Sequence, residues 1–156
     1  MIKMARNEQM LKVFILSIVL IAIFGFLDSI QIVPWQLSQI WEPYNTYVMP
    51  AIISMWVLAL LGISVMYYLL KKDKSEAVGI FVASFIMLAG GLEDIFFFLL
   101  SSNQMTAAMC WFTGPQAIVS RFLGETCVTP ISLYINVGLS IILAWVTLKW
   151  FFRQRW

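Results

Sequence analysis

The sequence predicts an all-α integral membrane protein: a bundle of four transmembrane helices with an outer loop that carries a short amphipathic helix. Three observations predict it. Hydrophobic residues make up 62% of the chain and charged residues only 12%, against about 25% charged in soluble domains. The apolar residues gather in four runs, 11–33, 50–70, 77–100 and 131–152, each near the length of about 20 residues that a hydrocarbon core demands. Nine of the ten Lys and Arg residues fall at alternate ends of these runs, the asymmetry that fixes orientation in a membrane. With 156 residues, four crossings and their connections fill the chain, so a single polytopic domain over 1–156 is expected.

The first run follows a charged start with Lys3, Arg6 and Lys12. A secretory signal also begins this way, but no small-x-small cleavage site precedes Asp28, so the segment reads as a retained span. Pro34 is expected to end it. Between Trp35 and Met49, the aromatics Trp35, Trp41, Tyr44 and Tyr47 alternate with Gln36, Gln39, Glu42 and Asn45. Aromatic rings with polar tips belong at the headgroup level, which suggests a short interfacial helix with Ile40, Trp41 and Tyr44 toward lipid.

The second span returns from Pro50, and the charged turn Lys71-Lys72-Asp73-Lys74-Ser75-Glu76 interrupts the apolar pattern before the third. The fourth runs from Ile131 into Arg153-Gln154-Arg155-Trp156. Only Arg121 lies among the cations on the opposite side, so the chain is expected in the cell membrane with both termini cytoplasmic.

Polar residues within the spans are the candidate site. Glu93 and Asp94 sit inside the apolar run Gly90-Gly91-Leu92-Glu93-Asp94-Ile95-Phe96-Phe97-Phe98. An acid costs roughly 2.5–3.5 kcal/mol at the centre of an inserted helix, so such a pair marks a functional site or a solvated helix end. Counted from the inner boundary at about 1.5 Å per residue, Asp28 and Glu93 both lie roughly 24–26 Å deep, in one outer layer. Asn136 and Tyr134 enter that layer on the fourth span and Ser54 on the second. Helical spacing places Ala83, Met87, Gly90 and Asp94 on one small-residue face, and Ser17, Gly25 and Asp28 on another. The expected polar cluster is thus Asp28, Glu93, Asp94, Asn136 and Tyr134, with Arg121 as a cationic partner or a lipid-phosphate contact. Its carboxyls could relay protons, hold a cation or protonate a substrate.

Cys110 and Cys127 are the only cysteines. Both fall in the outer loop, where oxidising conditions allow a disulfide worth about 3 kcal/mol on a chain-entropy estimate. Between them, Pro115 near the start and Gly124 past the end mark a short helix, with Ile118, Val119, Phe122 and Leu123 as its apolar face. Bridged at its base, that helix would form a lid over the polar layer.

Absences narrow the chemistry. The chain has no histidine, which removes histidine-ligated haem, the common zinc and copper sites, and Ser-His or Cys-His catalysis. There is no Cys-x-x-Cys, P-loop or Gly-x-Gly-x-x-Gly, and no basic stripe for nucleic acid. Met105, Met109 and Cys110 read as packing rather than soft-metal ligands, so no metal and no cofactor is expected.

Leu92-Glu93-Asp94-Ile95-Phe96-Phe97-Phe98 resembles, over about seven residues, the Pro-x-Glu-Glu-x-x-Phe-Phe pattern of membrane-embedded, heterodimer-type lycopene cyclases, with Gly91 where that family has Pro. The resemblance implies acid-initiated cyclisation of an isoprenoid, in which Glu93 or Asp94 protonates an alkene and its neighbour stabilises a carbocation. Three classes of function follow. Foremost is a non-catalytic accessory or structural subunit of a larger membrane complex, with lipids and other subunits or further copies of itself as partners. The second is an intramembrane enzyme acting on a lipid or isoprenoid, with Glu93, Asp94 and Asp28 as candidate catalytic groups. The third is proton or cation translocation through the same acids.

Overall fold

The computed structural model describes residues 2–36, 49–100, 105, 109 and 117–153, with side chains placed for that set except 2–6, 31–36 and 49–53. Six helices occupy them: α1 (Ile2–Gln36), α2 (Met49–Lys71), α3 (Lys74–Ala89), α4 (Leu92–Leu100), α5 (Ile118–Phe122) and α6 (Pro130–Arg153). Three are long and apolar enough to cross a membrane, over Asn7–Ile30, Ser54–Lys71 and Pro130–Arg153. The pair α3 and α4 would add a fourth crossing if it acts as one broken span, its two halves bent by 69°.

Local sequence explains where the helices start and stop. Asp73 caps α3, its Oδ1 accepting from the Ser75 and Glu76 amides at 3.0 Å each. Thr129 and Ser132 bond reciprocally at the head of α6, with Pro130 in the first helical position, where no amide is missed. Lys72 ends α2 in the left-handed region at φ 56°, its amide returning to the Tyr68 carbonyl at 2.7 Å.

The middle helix is α3. It packs on α1, α2 and α6, while α4 lies along α1 and α5 leans on α6. The close fit depends on small residues. A Cβ built on Gly79 would stand 3.2–3.3 Å from Leu148, Phe152 and Val13, so α1 and α6 both press on α3 there. Nearby, the Ser17 hydroxyl donates to the Val13 carbonyl at 2.9 Å and lies 3.5 Å from the Ile80 carbonyl of α3. Fully buried Val13, Ile21, Ile80, Met87, Leu133 and Leu148 fill the seams. Aromatic contacts brace the edges: Phe24 stacks on Trp56 at 4.5 Å, and Phe14 meets Trp145 edge-on at 5.0 Å. By contrast α2 exposes Met55, Leu58, Leu61, Val65, Met66, Leu69 and Leu70 along one flank.

Several expectations require correction. Pro34 does not end the first helix, which continues to Gln36; a proline removes its own amide and crowds one carbonyl, a local loss that a final turn absorbs. The third run is not one helix, because Gly90 and Gly91 divide it. The helix within 115–124 is shorter than expected, and only Val119 of its expected apolar face is buried. Ile118 and Leu123 are exposed and Phe122 is 93% exposed, so the helix presents most of its apolar side outward. The interfacial helix expected over 35–49 lies largely outside the described residues, as does Cys110.

Candidate functional site: an acidic helix break

The break begins with glycine. Gly90 closes α3 with its amide on the Ile86 carbonyl, and Gly91 then takes φ 86°, a backbone state that other residues enter at a cost of about 1–2 kcal/mol. The chain restarts at Leu92 in a new direction. A helix cut in this way exposes the carbonyls of its first half and the amides of its second. Asn136 answers the first need, its Nδ2 donating to the Gly90 carbonyl at 2.9 Å. Glu93 and Asp94 answer the second. They stand in the first turn of α4, where the positive end of the helix dipole favours acidic groups, and the Asp94 carboxyl accepts from its own amide.

Helix α1 closes the site. Gly25 is packed so tightly against α4 that an added Cβ would lie 2.6 Å from the Glu93 carbonyl oxygen and 2.7 Å from the Phe96 Cβ. This approach delivers Asp28, one turn further along α1, to Glu93, and the two carboxyls are in hydrogen-bonding contact. Asp94 is near enough to interact electrostatically with both. On the other side, Ser140 of α6 fills the notch at Gly90, where a Cβ would lie 2.2 Å from the serine side chain.

Asp28, Glu93 and Asp94 are only 5%, 7% and 8% exposed. Neither Asp28 Oδ1 nor Asp94 Oδ2 has a hydrogen-bond partner. No ion pair reaches these acids among the described residues, where the only salt bridge is Lys12 with Glu76. Nor is any group of three or more His, Cys, Asp and Glu side chains placed to hold a metal ion among those residues. A contact between two carboxyls is attractive only when one proton lies between them, because two bare carboxylates repel. The arrangement can therefore bind and exchange a proton.

The candidate residues separate cleanly in space. Asp28, Glu93, Asp94 and Asn136 come together, while Tyr134 is 53% exposed on the outer side of α6 and Arg121 is exposed on α5. Ser54 is exposed on α2. Neighbouring the break, a groove of about 310 Å³ between α3 and α6 is lined by Gly90, Asn136 and Ser140 with apolar Ile86, Leu139 and Leu143. None of the three acids lines it.

A second polar cluster escapes sequence reasoning. At the start of α3, buried Glu76 accepts through Oε2 from the Tyr67 hydroxyl of α2, and Lys12 of α1 donates to that hydroxyl at 2.9 Å. Lys12 also lies 3.5 Å from Glu76 Oε2 and 5.6 Å from the centre of the Tyr67 ring. The usable signal is that Lys12, Tyr67 and Glu76 all fall at the same end of three apolar runs. Comparison of the chain with known protein families, curated proteins and solved structures finds no match.

Proposed function

We propose that this chain is a four-span protein of the cell membrane that binds and passes protons through Asp28 and Glu93. The observation that carries this reading is their carboxyl–carboxyl contact at a helix break, among groups with unpartnered oxygens and, among the described residues, without a cation. A discontinuous helix that aims a half-helix terminus at a buried charge site is a recurrent arrangement in transporters. Helix α3 alone is about 24 Å long, so the break falls short of the far boundary of a core about 30 Å thick, within reach of one surface. In this reading, passage to the other surface runs between this chain and further copies of it.

The orientation supported by charge is cytoplasmic termini and a cytoplasmic Lys71–Glu76 turn. The acids then face the outer leaflet together with the 101–129 loop. Within that loop the Met109 amide donates to the Val128 carbonyl at 2.8 Å. This pairs the immediate neighbours of Cys110 and Cys127 and supports a disulfide between them, with about 3 kcal/mol of loop stabilisation. Alkylation before and after reduction tests the bridge.

Proton passage is tested by reconstituting the purified chain in liposomes that contain a pH-sensitive dye and imposing a membrane potential. Flux above that of protein-free liposomes is expected, falling at least tenfold in Asp28→Asn and in Glu93→Gln and unchanged in Tyr134→Phe. Flux equal to that of empty liposomes, or insensitive to both acid substitutions, refutes the reading.

A second reading, an accessory subunit of a membrane complex, is favoured by the exposed apolar side chains Ile118, Phe122 and Leu123 at α5, which lie outside the candidate spans. Extraction from native membranes in mild detergent would then yield a stoichiometric protein partner, and isolation as a lone monomer counts against it. The enzyme reading has less support, because an acid that protonates an isoprenoid must line an apolar pocket, and the groove beside the break is lined by none of the three acids.

A further inference from the structure

Away from the acids, α2 and α3 diverge around a groove of about 370 Å³. Leu61, Val65 and Phe81 make its walls apolar, and Tyr68 and Lys74 stand at the end nearest the charged turn. Leu61, Val65, Tyr68 and Lys74 are exposed, so the groove opens along the flank of the bundle. Lys71 and Lys72 are exposed beside that end, with the Lys72 ammonium 6.0 Å from the centre of the Tyr68 ring. Deeper in the groove, Ser64 is buried and its hydroxyl has no hydrogen-bond partner. It lies seven residues before Lys71 on α2, about 10 Å along the axis.

The sequence of chemistries is a cationic mouth, a hydroxyl donor below it and an apolar trough beyond. We propose that this groove binds one anionic phospholipid, with the phosphate at Lys74, an ester carbonyl accepting from Ser64 and an acyl chain along Leu61, Val65 and Phe81. Lysines at the water boundary keep their ammonium groups at headgroup level while their stems cover apolar surface, which matches this placement. The unpartnered serine separates this groove from an ordinary lipid-facing crease, because a buried hydroxyl gains a hydrogen bond when an acceptor enters. The inference rests on the reading that the chain spans a membrane and is independent of proton passage.

The test uses the full purified chain, stripped of lipid in detergent and titrated with dioleoylphosphatidylglycerol or dioleoylphosphatidylcholine under native mass spectrometry. One phosphatidylglycerol retained per chain is expected, with a preference of about fivefold over phosphatidylcholine, the scale of one lysine near an anionic surface. Lys74→Gln should bring that ratio close to one. Ser64→Ala should weaken both lipids alike, and Val78→Trp, which fills the groove, should remove both. Excess inorganic phosphate should leave the lipid bound. Equal retention of the two lipids, a preference undiminished in Lys74→Gln, or displacement by phosphate alone overturns the proposal. Should Val78→Trp fail to fold, the exposed Lys74 still decides the matter. Loss of proton flux in the acid variants with lipid preference intact would separate failure of one site from failure of the other.

Discussion

The two ends of α3 hold buried acids under opposite conditions. At its start, Glu76 has a tyrosine hydroxyl and a lysine ammonium to satisfy it. At its end, beyond the glycine break, Asp28, Glu93 and Asp94 have one another, an amide and no cation among the described residues. A satisfied acid ties three helices together, and breaking its set leaves an uncompensated buried group. An acid cluster without a counter-ion stabilises little and is open to exchange with a proton. The difference makes one end a structural tie and leaves the other as the site of the proposed proton exchange.

Substitutions can break or sharpen that contrast. The largest effect is expected from Gly25→Leu, since even a Cβ at this position meets the backbone of α4, which has to move. A loss of about 3 kcal/mol is expected, read as a lowered unfolding midpoint in detergent micelles. An unchanged midpoint would mean that the acids do not depend on the tight approach of α1. Next, Tyr67→Phe should cost about 1.5–3 kcal/mol by the same assay, because Glu76 is left with only the longer contact to Lys12. Lys12→Met should cost less than about 1 kcal/mol, because the lysine side chain is 55% exposed and its charge is screened by water. The smallest effect is expected from Asp94→Asn, within about 0.5 kcal/mol in either direction, since it removes a charge that no cation among the described residues compensates. If Asp94→Asn unfolds the chain as readily as Tyr67→Phe, the two ends are equivalent and the division of labour falls.

Helix bounds were legible in the sequence where punctuation was strong. Pro50 and Pro130 open α2 and α6 or stand beside their first residue, and Lys71 and Arg153 end them, close to the expected 50–70 and 131–152. The shared depth of Asp28 and Glu93 was legible, because equal counts from one boundary reach similar heights and Glu93 stands only two residues past the break; their contact was not, since the count took the third run as one straight helix. Direction around the helix was less accessible. Asn136 continues the buried stripe Leu133, Val137, Ser140, Ala144 and Leu148, whereas Tyr134 is turned about 100° from Leu133 and faces outward. Depth alone had grouped them. The break at Gly90-Gly91 was hidden because glycine in an apolar run also serves close helix packing, and Gly79 does serve it. Glu76 was hidden by its neighbours, for an acid among three lysines of a short turn reads as solvated.

The notch at Gly90, filled by Ser140 and spanned by Asn136, carries a consequence for how the protein is made. Both partners belong to α6, which is synthesised after the helices that carry every acid of the break. Until α6 arrives, the Gly90 carbonyl lacks its asparagine and the small-residue face of α3 lies uncovered. The nascent chain therefore passes through a stage in which the acids can already meet but the wall behind them is missing. Asn136 and Ser140 arrive after the acids, as the latch on a site assembled earlier.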